Sequence, residues 1–429
     1  RRFSYEEMDR LSDAFAARLA RLGVERGGRV ALFLNNCPQY LIAHFGIQKL
    51  GAIVVPCSPL FRHHELEYQL KDVGAEVIVA ADTLYETVEA VRAGTALRHV
   101  FVTSYGDFPP ETRGLDLPES LIAPKRKIVG AEDFLTACAS EERAPPEYVF
   151  DMDDVALIIY TSGSTGLPKG AMLTHRNALF KTSITARCYG IGADDVILSV
   201  APLYHIAGAT FGTNLSVYLG ATAVLLHRFD PVAAMKMIEQ HDVTFWYSMA
   251  VMNAACLDLP EAHAPYDLSS LRLNPATSFG ITLTEELAGR WRRFTGGCKL
   301  FEASYGLSET HAIDACMPPD DIRWGKAGKI PLGVECRIVD PETGRILPQG
   351  EMGEISTRSP GVFKGYWNRP EESRKTLRDG WVFTGDIGAL DEDGYLAFCG
   401  RIKEMIKVSG YSVFPEEVET ILMKHPDIA

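Results

Sequence analysis

The sequence predicts an α/β protein with two α/β sheet subdomains followed by a small β unit. Three observations carry that prediction. Apolar runs of strand length alternate with helical periodicity near the start of the chain, as a parallel sheet covered on both faces requires. The alternation restarts after Ser104 to Arg143, a stretch rich in proline and charge that reads as a connector. From about Gly333 it gives way to short β runs separated by glycines.

Ser4-Tyr-Glu-Glu7 reads as a capping box, and Met8, Leu11, Phe15, Leu19 and Leu22 follow at helical spacing until Gly23, predicting a helix over Tyr5 to Leu22. Next come a strand at Val30 to Leu34, a helix ending near Gly51, a strand at Ala52 to Val55, a helix around Glu65 to Val73 and a strand at Glu76 to Val79. The second alternation comprises Val155 to Tyr160, Val196 to Val200, Ala221 to Leu226 and Val243 to Tyr247. The β unit comprises Val334 to Val339, Gly353 to Thr357, Trp381 to Thr384 and Tyr395 to Phe398, with Gly344, Gly350, Gly380 and Gly394 between them. Residues 1–150 and 151–332 are therefore expected to form the two subdomains and 333–400 the β unit.

Composition bounds the function. The chain has 429 residues, 46% hydrophobic and 23% charged, as a folded globular enzyme shows. Its 43 basic and 56 acidic residues leave a formal charge of −13, which opposes binding to nucleic acid or anionic lipid. An anionic substrate then needs locally placed cations. The nine cysteines include no CxxC pair, so zinc and dithiol motifs are not suggested, and a reducing, cytoplasmic location is expected. The longest uncharged stretch, Ile206 to Leu226, contains Gly208, Gly212, Asn214 and Gly220 and reads as a buried helix followed by a strand, not a transmembrane segment. The opening Arg1-Arg-Phe-Ser4 shows neither an initiator methionine nor a secretory signal, so native residues are expected to precede it.

The strongest chemical signal is Thr161-Ser-Gly-Ser-Thr-Gly-Leu-Pro-Lys169-Gly. A strand ending at Tyr160 runs into small hydroxyl and glycine residues closed by a lysine, a loop able to turn several N–H groups toward one anion. Pro168 stands where the common P-loop has glycine, and Ala171-Met-Leu173 reads as another strand, so this is a different phosphate loop. Tyr160 to His175 resembles the signature loop of the adenylate-forming superfamily, which includes acyl-CoA synthetases, aryl-CoA ligases, peptide-synthetase adenylation domains and beetle luciferases.

Other blocks similar to that superfamily follow in order. Ala303-Ser-Tyr-Gly-Leu-Ser-Glu-Thr310 resembles the aromatic-Gly-x-Thr-Glu block, which implies that Tyr305 and Gly306 lie against the adenine and that Glu309, beside Thr310, helps hold magnesium. Thr384-Gly-Asp386 and Gly400-Arg401 resemble the ribose-binding blocks. Pro202-Leu-Tyr-His205-Ile-Ala-Gly208 resembles the segment that supplies a gating residue to the acyl pocket, so His205 and Gly208 are expected there together with Tyr247. Ser278-Phe279-Gly280 stands where relatives show a Gly-Gly-Ala-Pro-Leu-like run; Phe279 and Ile281 are bulkier, so either the pocket wall is reshaped or the correspondence slips locally. Gly353 to Pro370 resembles a further block and reads as structural, with Tyr366 shaping the β unit.

The resemblance implies ATP-dependent activation of a carboxylic acid as its adenylate, with Lys169, His205 and Glu309 catalytic, and transfer of the acyl group to coenzyme A. ATP or AMP is expected on Thr161, Ser162, Gly163, Ser164, Thr165, Gly166, Lys169, Tyr305, Gly306, Thr310, Asp386 and Arg401, and Mg2+ on Thr165 and Glu309. The stretch 401–429 is expected to be the hinge and the start of a mobile, truncated C-terminal domain, with Lys403, Lys407, Ser409 and Gly410 on the coenzyme A side. A solvated charged face is the competing reading of the two lysines. The apolar run Phe245 to Met252 favours a fatty or aromatic acid. The expected partners are the acid, ATP and coenzyme A, with a homodimer left open. A carrier-protein thiol as acceptor, or a degenerate nucleotide or acyl binder, are the alternatives.

Overall fold

The computed structural model describes residues 1–109, 117–139, 145, 147–161, 167–259 and 266–404, with the backbone of 406–408, 411–413 and 422. The first helix, α1 (Tyr5–Arg21), forms where the periodicity predicts, and its stripe Leu11, Phe15 and Leu19 is buried. Its cap is half of the expected box: the Ser4 hydroxyl accepts the Glu7 N–H at 3.0 Å, while the Glu7 carboxylate pairs with Arg1.

The first sheet contains β1 (Arg29–Phe33), β2 (Ile53–Pro56), β3 (Val77–Ala81), β4 (His99–Thr103), β5 (Glu132–Asp133), β6 (Val155–Thr161) and β7 (Lys169–Thr174), in the order β5-β4-β3-β1-β2-β6-β7. All pairs are parallel except β6 with β7. Helices α2 (Pro38–Lys49), α3 (His63–Val73) and α4 (Tyr85–Arg92) supply the crossovers.

Three points depart from the sequence reading. The strand β4 was not anticipated, although Val100, Phe101 and Val102 are as buried as its neighbours. The expected connector after Ser104 contributes the edge strand β5 together with α5 (Glu119–Ile122) and α6 (Phe134–Ala139). The strand at Val155, expected to open the second block, pairs instead with β2, so position 150 does not separate the sheets. An apolar run shows that a strand is buried on both faces; it does not show which sheet the strand joins.

The second sheet is parallel throughout. After α7 (His175–Tyr189) come β8 (Val196–Ser199), β9 (Thr222–Leu225), β10 (Phe245–Trp246), β11 (Ser248–Met249), β12 (Leu273–Thr277) and β13 (Lys299–Glu302), ordered β11-β12-β10-β8-β9 with β13 on β12. The long uncharged stretch becomes a helical turn at Ile206–Gly208, a π-helix at Ala209–Asn214, a short helix at Leu215–Leu219 and then β9. No helix among the described residues is long and apolar enough to cross a membrane.

The antiparallel unit starts earlier than Gly333. It contains β14 (Ser304–Tyr305), β15 (Ala315–Cys316), β16 (Gly328–Lys329), β17 (Glu335–Val339), β18 (Gly353–Arg358), β19 (Leu377–Arg378), β20 (Trp381–Leu390) and β21 (Tyr395–Arg401), ordered β14-β15-β16-β21-β20-β18-β17 with β19 on β20. The two-residue strands at Ser304, Ala315 and Gly328 are too short to leave a period-2 signal. They matter because they carry Tyr305 into the same sheet as Asp386. A separate hairpin follows, β22 (Ile406–Val408) with β23 (Tyr411–Val413).

Burial sets the acid response of this core. His44 on α2 is buried among apolar neighbours with neither ring nitrogen hydrogen-bonded, and burial pushes its pKa down to about 3. The folded state therefore favours neutral imidazole: this contribution is complete above the unfolded pKa near 6.5 and is lost as pH falls toward 3. His44→Leu is expected to flatten acid destabilisation, with stability at pH 5 relative to pH 8 improved by about 2 kcal/mol in urea titrations.

Candidate active site

The antiparallel ladder of β6 and β7 places Thr161 opposite Lys169 and closes the base of the expected phosphate loop. Ser162, Gly163, Ser164, Thr165 and Gly166 lie outside the described residues. Lys169, at the start of β7, sets its ammonium 4.5 Å above the centre of the Tyr366 ring. The hydroxyl of the same tyrosine donates to Glu309 Oε1 at 2.5 Å. Tyr366 thus bridges a cation and a carboxylate from distant parts of the chain. Burial first, and then Glu309, raise the pKa of its phenol, so it remains a donor.

Glu309 lies on a tight 3-10 turn, Ser308–Thr310, at the tip of the hairpin between β14 and β15. Its backbone carbonyl accepts the Phe363 N–H at 2.7 Å, tying the tip to the segment that carries Tyr366. Thr310 is consumed internally: its hydroxyl accepts the Leu307 N–H at 3.1 Å. Beyond it, His311, Ala312 and Ile313 take φ of 55°, 59° and 46°. Left-handed backbone costs an L-residue roughly 1–2 kcal/mol, and three in succession ending on a β-branched side chain make a strained segment. Gly306 lets this segment close over it, since a Cβ there would lie 2.5 Å from the Ile313 nitrogen.

A second cluster adjoins on β20 and β21, where Asp386 pairs directly with Arg401 in the ladder. The Tyr305 hydroxyl donates to Asp386 Oδ2 at 2.8 Å, and Arg401 Nε stands 3.3 Å from Oδ1. That ion pair is not an aligned hydrogen bond, so Oδ1 is a buried acceptor without a donor among the described residues. Burial raises the Asp386 pKa, opposed by Arg401 and Tyr305 and reinforced by Glu309. The Tyr305 ring stacks on Phe398 with centroids 6.0 Å apart. The two clusters sense each other electrostatically, for Arg401 also acts on the Tyr366 phenol.

The expected acyl-pocket residues fall in two groups. His205 caps the turn at Ile206, its Nδ1 accepting the Ala207 N–H at 3.4 Å, which places the proton of a neutral ring on Nε2. The residue is exposed as a whole, yet protein crowds its imidazole, and that burial lowers its pKa. Tyr247 stacks on Phe211 at 4.1 Å and hydrogen-bonds Thr277. Ser278 instead binds Glu302, through its N–H at 3.1 Å and its hydroxyl at 2.5 Å. Phe279 is 64% exposed, so its bulk does not fill an enclosed pocket wall, and the left-handed Gly280 turns the chain back toward Val251.

A separate groove of about 1780 Å3 is lined in part by Met8, Phe45, Phe150, Leu179 and Val217; neither Lys169, Glu309, Tyr366 and Asp386 nor His205, Gly208 and Tyr247 line it.

With that geometry in place, comparison with known proteins decides the family. The profile of AMP-binding enzymes matches residues 1–367. The chain belongs to the AMP-binding enzyme family. It is 36% identical over 441 residues to the long-chain-fatty-acid–CoA ligase of Bacillus subtilis, covering 98% of this chain and 76% of that protein. It is 34% identical to 4-coumarate–CoA ligase 1 of Oryza sativa subsp. japonica, covering 99% and 74%. The crystal structure of the anthranilate CoA ligase AuaEII in complex with anthranoyl-AMP superposes with a TM-score of 0.88 at 29% identity, covering 100% of this chain and 78% of that one.

In this AMP-binding enzyme the residue that sequence reasoning undervalued is Tyr366. Within Gly-Tyr-Trp it reads as a β-unit aromatic, and nothing local reveals that Lys169 and Glu309 meet on it. Lys403 is exposed beyond the last strand of the third sheet. Lys407 lies on β22 with its side chain outside the described residues, as are Ser409 and Gly410.

Gly208 has a steric role. A Cβ there would lie 1.9 Å from the Pro202 carbonyl oxygen, which is backbone and cannot step aside. Gly208→Ala is expected to cost roughly 1–3 kcal/mol by overpacking, measured by denaturant unfolding, and to lower activity by displacing His205.

Proposed function

We propose that this chain activates a carboxylic acid with ATP, releasing pyrophosphate, and transfers the acyl group from the adenylate to the thiol of coenzyme A. The observation that carries the reading is the meeting of Lys169 and Glu309 on Tyr366 beside the Tyr305–Asp386–Arg401 cluster, in a member of the AMP-binding enzyme family.

In the first step a carboxylate oxygen bonds to the α-phosphorus while the bond to pyrophosphate breaks. Charge grows on the leaving group, and Lys169 with the amides of 162–166 is assigned to stabilise it electrostatically, without a covalent intermediate. Glu309, a buried carboxylate, fits a hard cation, with Thr165 as the second protein ligand proposed. Among the described residues no group of three metal-ligating side chains occurs, so phosphate and water would complete the shell. Magnesium there would neutralise phosphate charge. Asp386 Oδ1 is assigned to a ribose hydroxyl, with Arg401 fixing the carboxylate, and Tyr305 with Gly306 to the adenine. His205 is assigned to the acid's carboxylate, with Gly208 and Tyr247 forming the adjoining wall.

In the second step the thiol sulfur attacks the acyl carbon and AMP leaves. Residues 401–429, with Lys403, Lys407, Ser409 and Gly410, are assigned to that half-reaction. The largely apolar stretch Phe245 to Met252, with Tyr247 stacked on Phe211, supports a fatty or aromatic acid. The nine free cysteines support a reducing compartment.

The test is pyrophosphate release by the intact enzyme across fatty and aromatic acids, with and without coenzyme A. Adenylate formation that coenzyme A never captures would overturn the thioester step in favour of another acceptor; absence of pyrophosphate release with every acid would overturn activation itself.

A further inference from the structure

One buried ion pair has no part in the assignments above. Lys181, on α7, and Asp314, at the end of the left-handed run, have side chains 0% and 1% exposed and meet at 2.7 Å. The Lys181 ammonium also donates to the Ile313 carbonyl at 2.7 Å. It therefore holds the Ile313 carbonyl and the Asp314 side chain at the point where the chain leaves its strained conformation and enters β15. The Lys181 stem passes over Gly361 so closely that a Cβ there would lie 2.2 Å from Cε. Gly361 stands two residues before Phe363, whose N–H holds the Glu309 carbonyl, and five before Tyr366, whose hydroxyl holds the Glu309 side chain.

The core of a domain does not need such a pair for stability. Taking a lysine and an aspartate out of water is costly, and an apolar pair of similar volume is often as stable or more so. What an apolar pair cannot do is donate to the Ile313 carbonyl or select one conformation of a strained turn. The position of the pair is informative for the same reason: it lies behind the two segments that fix Glu309 and touches neither the Glu309 carboxylate nor Lys169.

We propose that Lys181 and Asp314 are positioning residues that lock the left-handed segment 311–313 and thereby aim the Glu309 carboxylate at the magnesium nucleotide. The inference rests on the assignment of Glu309 made above and extends it to residues that no part of the proposed chemistry touches. It implies that activity depends on this pair through the nucleotide and not through the acid.

The test is steady-state adenylation by the intact enzyme carrying Lys181→Met with Asp314→Leu, which exchanges the ion pair for an apolar one of similar size. The melting temperature is expected to stay near that of the wild type. The Kd for MgATP by calorimetry, its KM and the magnesium concentration for half-maximal rate are each expected to rise about tenfold, while the KM for the acid changes less than twofold. Wild-type values for MgATP and magnesium, or an equal rise in both KM values, would overturn the proposal. If the double variant does not fold, Lys181→Gln with Asp314→Asn, which removes both charges together and keeps polar side chains of similar volume, takes its place with the same criteria. Glu309→Gln run in parallel separates the two levels. If it also leaves the magnesium dependence unchanged, the assignment of Glu309 fails; if it raises that dependence and the pair variants do not, the positioning inference alone fails.

Discussion

Glu309→Gln is expected to slow pyrophosphate release by about a hundredfold or more, the usual consequence of removing one group that stabilises transition-state charge. Glutamine keeps the size of the side chain and an oxygen to accept the Tyr366 hydroxyl, so packing at the hairpin tip is preserved. The charge alone is lost. The rate should partly recover at high magnesium, because the defect lies in holding the cation near the phosphates. A variant with wild-type rate and magnesium dependence would remove Glu309 from the site. Tyr366→Phe offers a graded comparison: it takes away one hydrogen bond to a carboxylate, worth roughly 1.5–3 kcal/mol, and should cost about tenfold to a hundredfold.

Lys169→Met is expected to lower the rate of adenylation by about a hundredfold to a thousandfold while changing the KM for MgATP much less. Methionine retains most of the stem that lies over the Tyr366 ring, so the contact at 4.5 Å is replaced by an apolar one and the fold is not at risk. The division between kcat and KM follows from where the charge appears. Pyrophosphate carries more negative charge in the transition state than the same atoms carry in ATP, so an ammonium aimed at it acts chiefly on the barrier. Single-turnover measurement of pyrophosphate release is the check. An equal effect on KM alone would make Lys169 a ground-state contact.

The two predictions concern residues 140 positions apart in sequence that meet on one tyrosine, and this shows where sequence reasoning stops. Lys169 and Glu309 were legible because each sits in a block whose residue types suit phosphate or metal. Their meeting point was not, because a tyrosine within Gly-Tyr-Trp looks the same whether it shapes a turn or joins two charges. Lys181 is a harder case. It stands in an ordinary helix, and only the distant segments at Asp314 and Gly361 remove it from water. Phe279, conversely, looked like a pocket residue from its place in the order of blocks, yet its side chain is largely exposed.

The sequence by itself determined the α/β class and the order of most elements, and it marked Lys169, Asp386 and Arg401, through their resemblance to known blocks, as candidates for the nucleotide roles proposed above. The class and order are carried by periodicity, and the marked residues by short motifs matched to those of a family. Tertiary structure alone decided that β6 belongs to the first sheet, that Tyr305 enters the third, and that Glu309 sits on a turn tied to Phe363 and followed by three left-handed residues. Each depends on which distant backbone supplies a hydrogen-bond partner or excludes water, and that information lies in the packing of the chain, not in any local stretch of it.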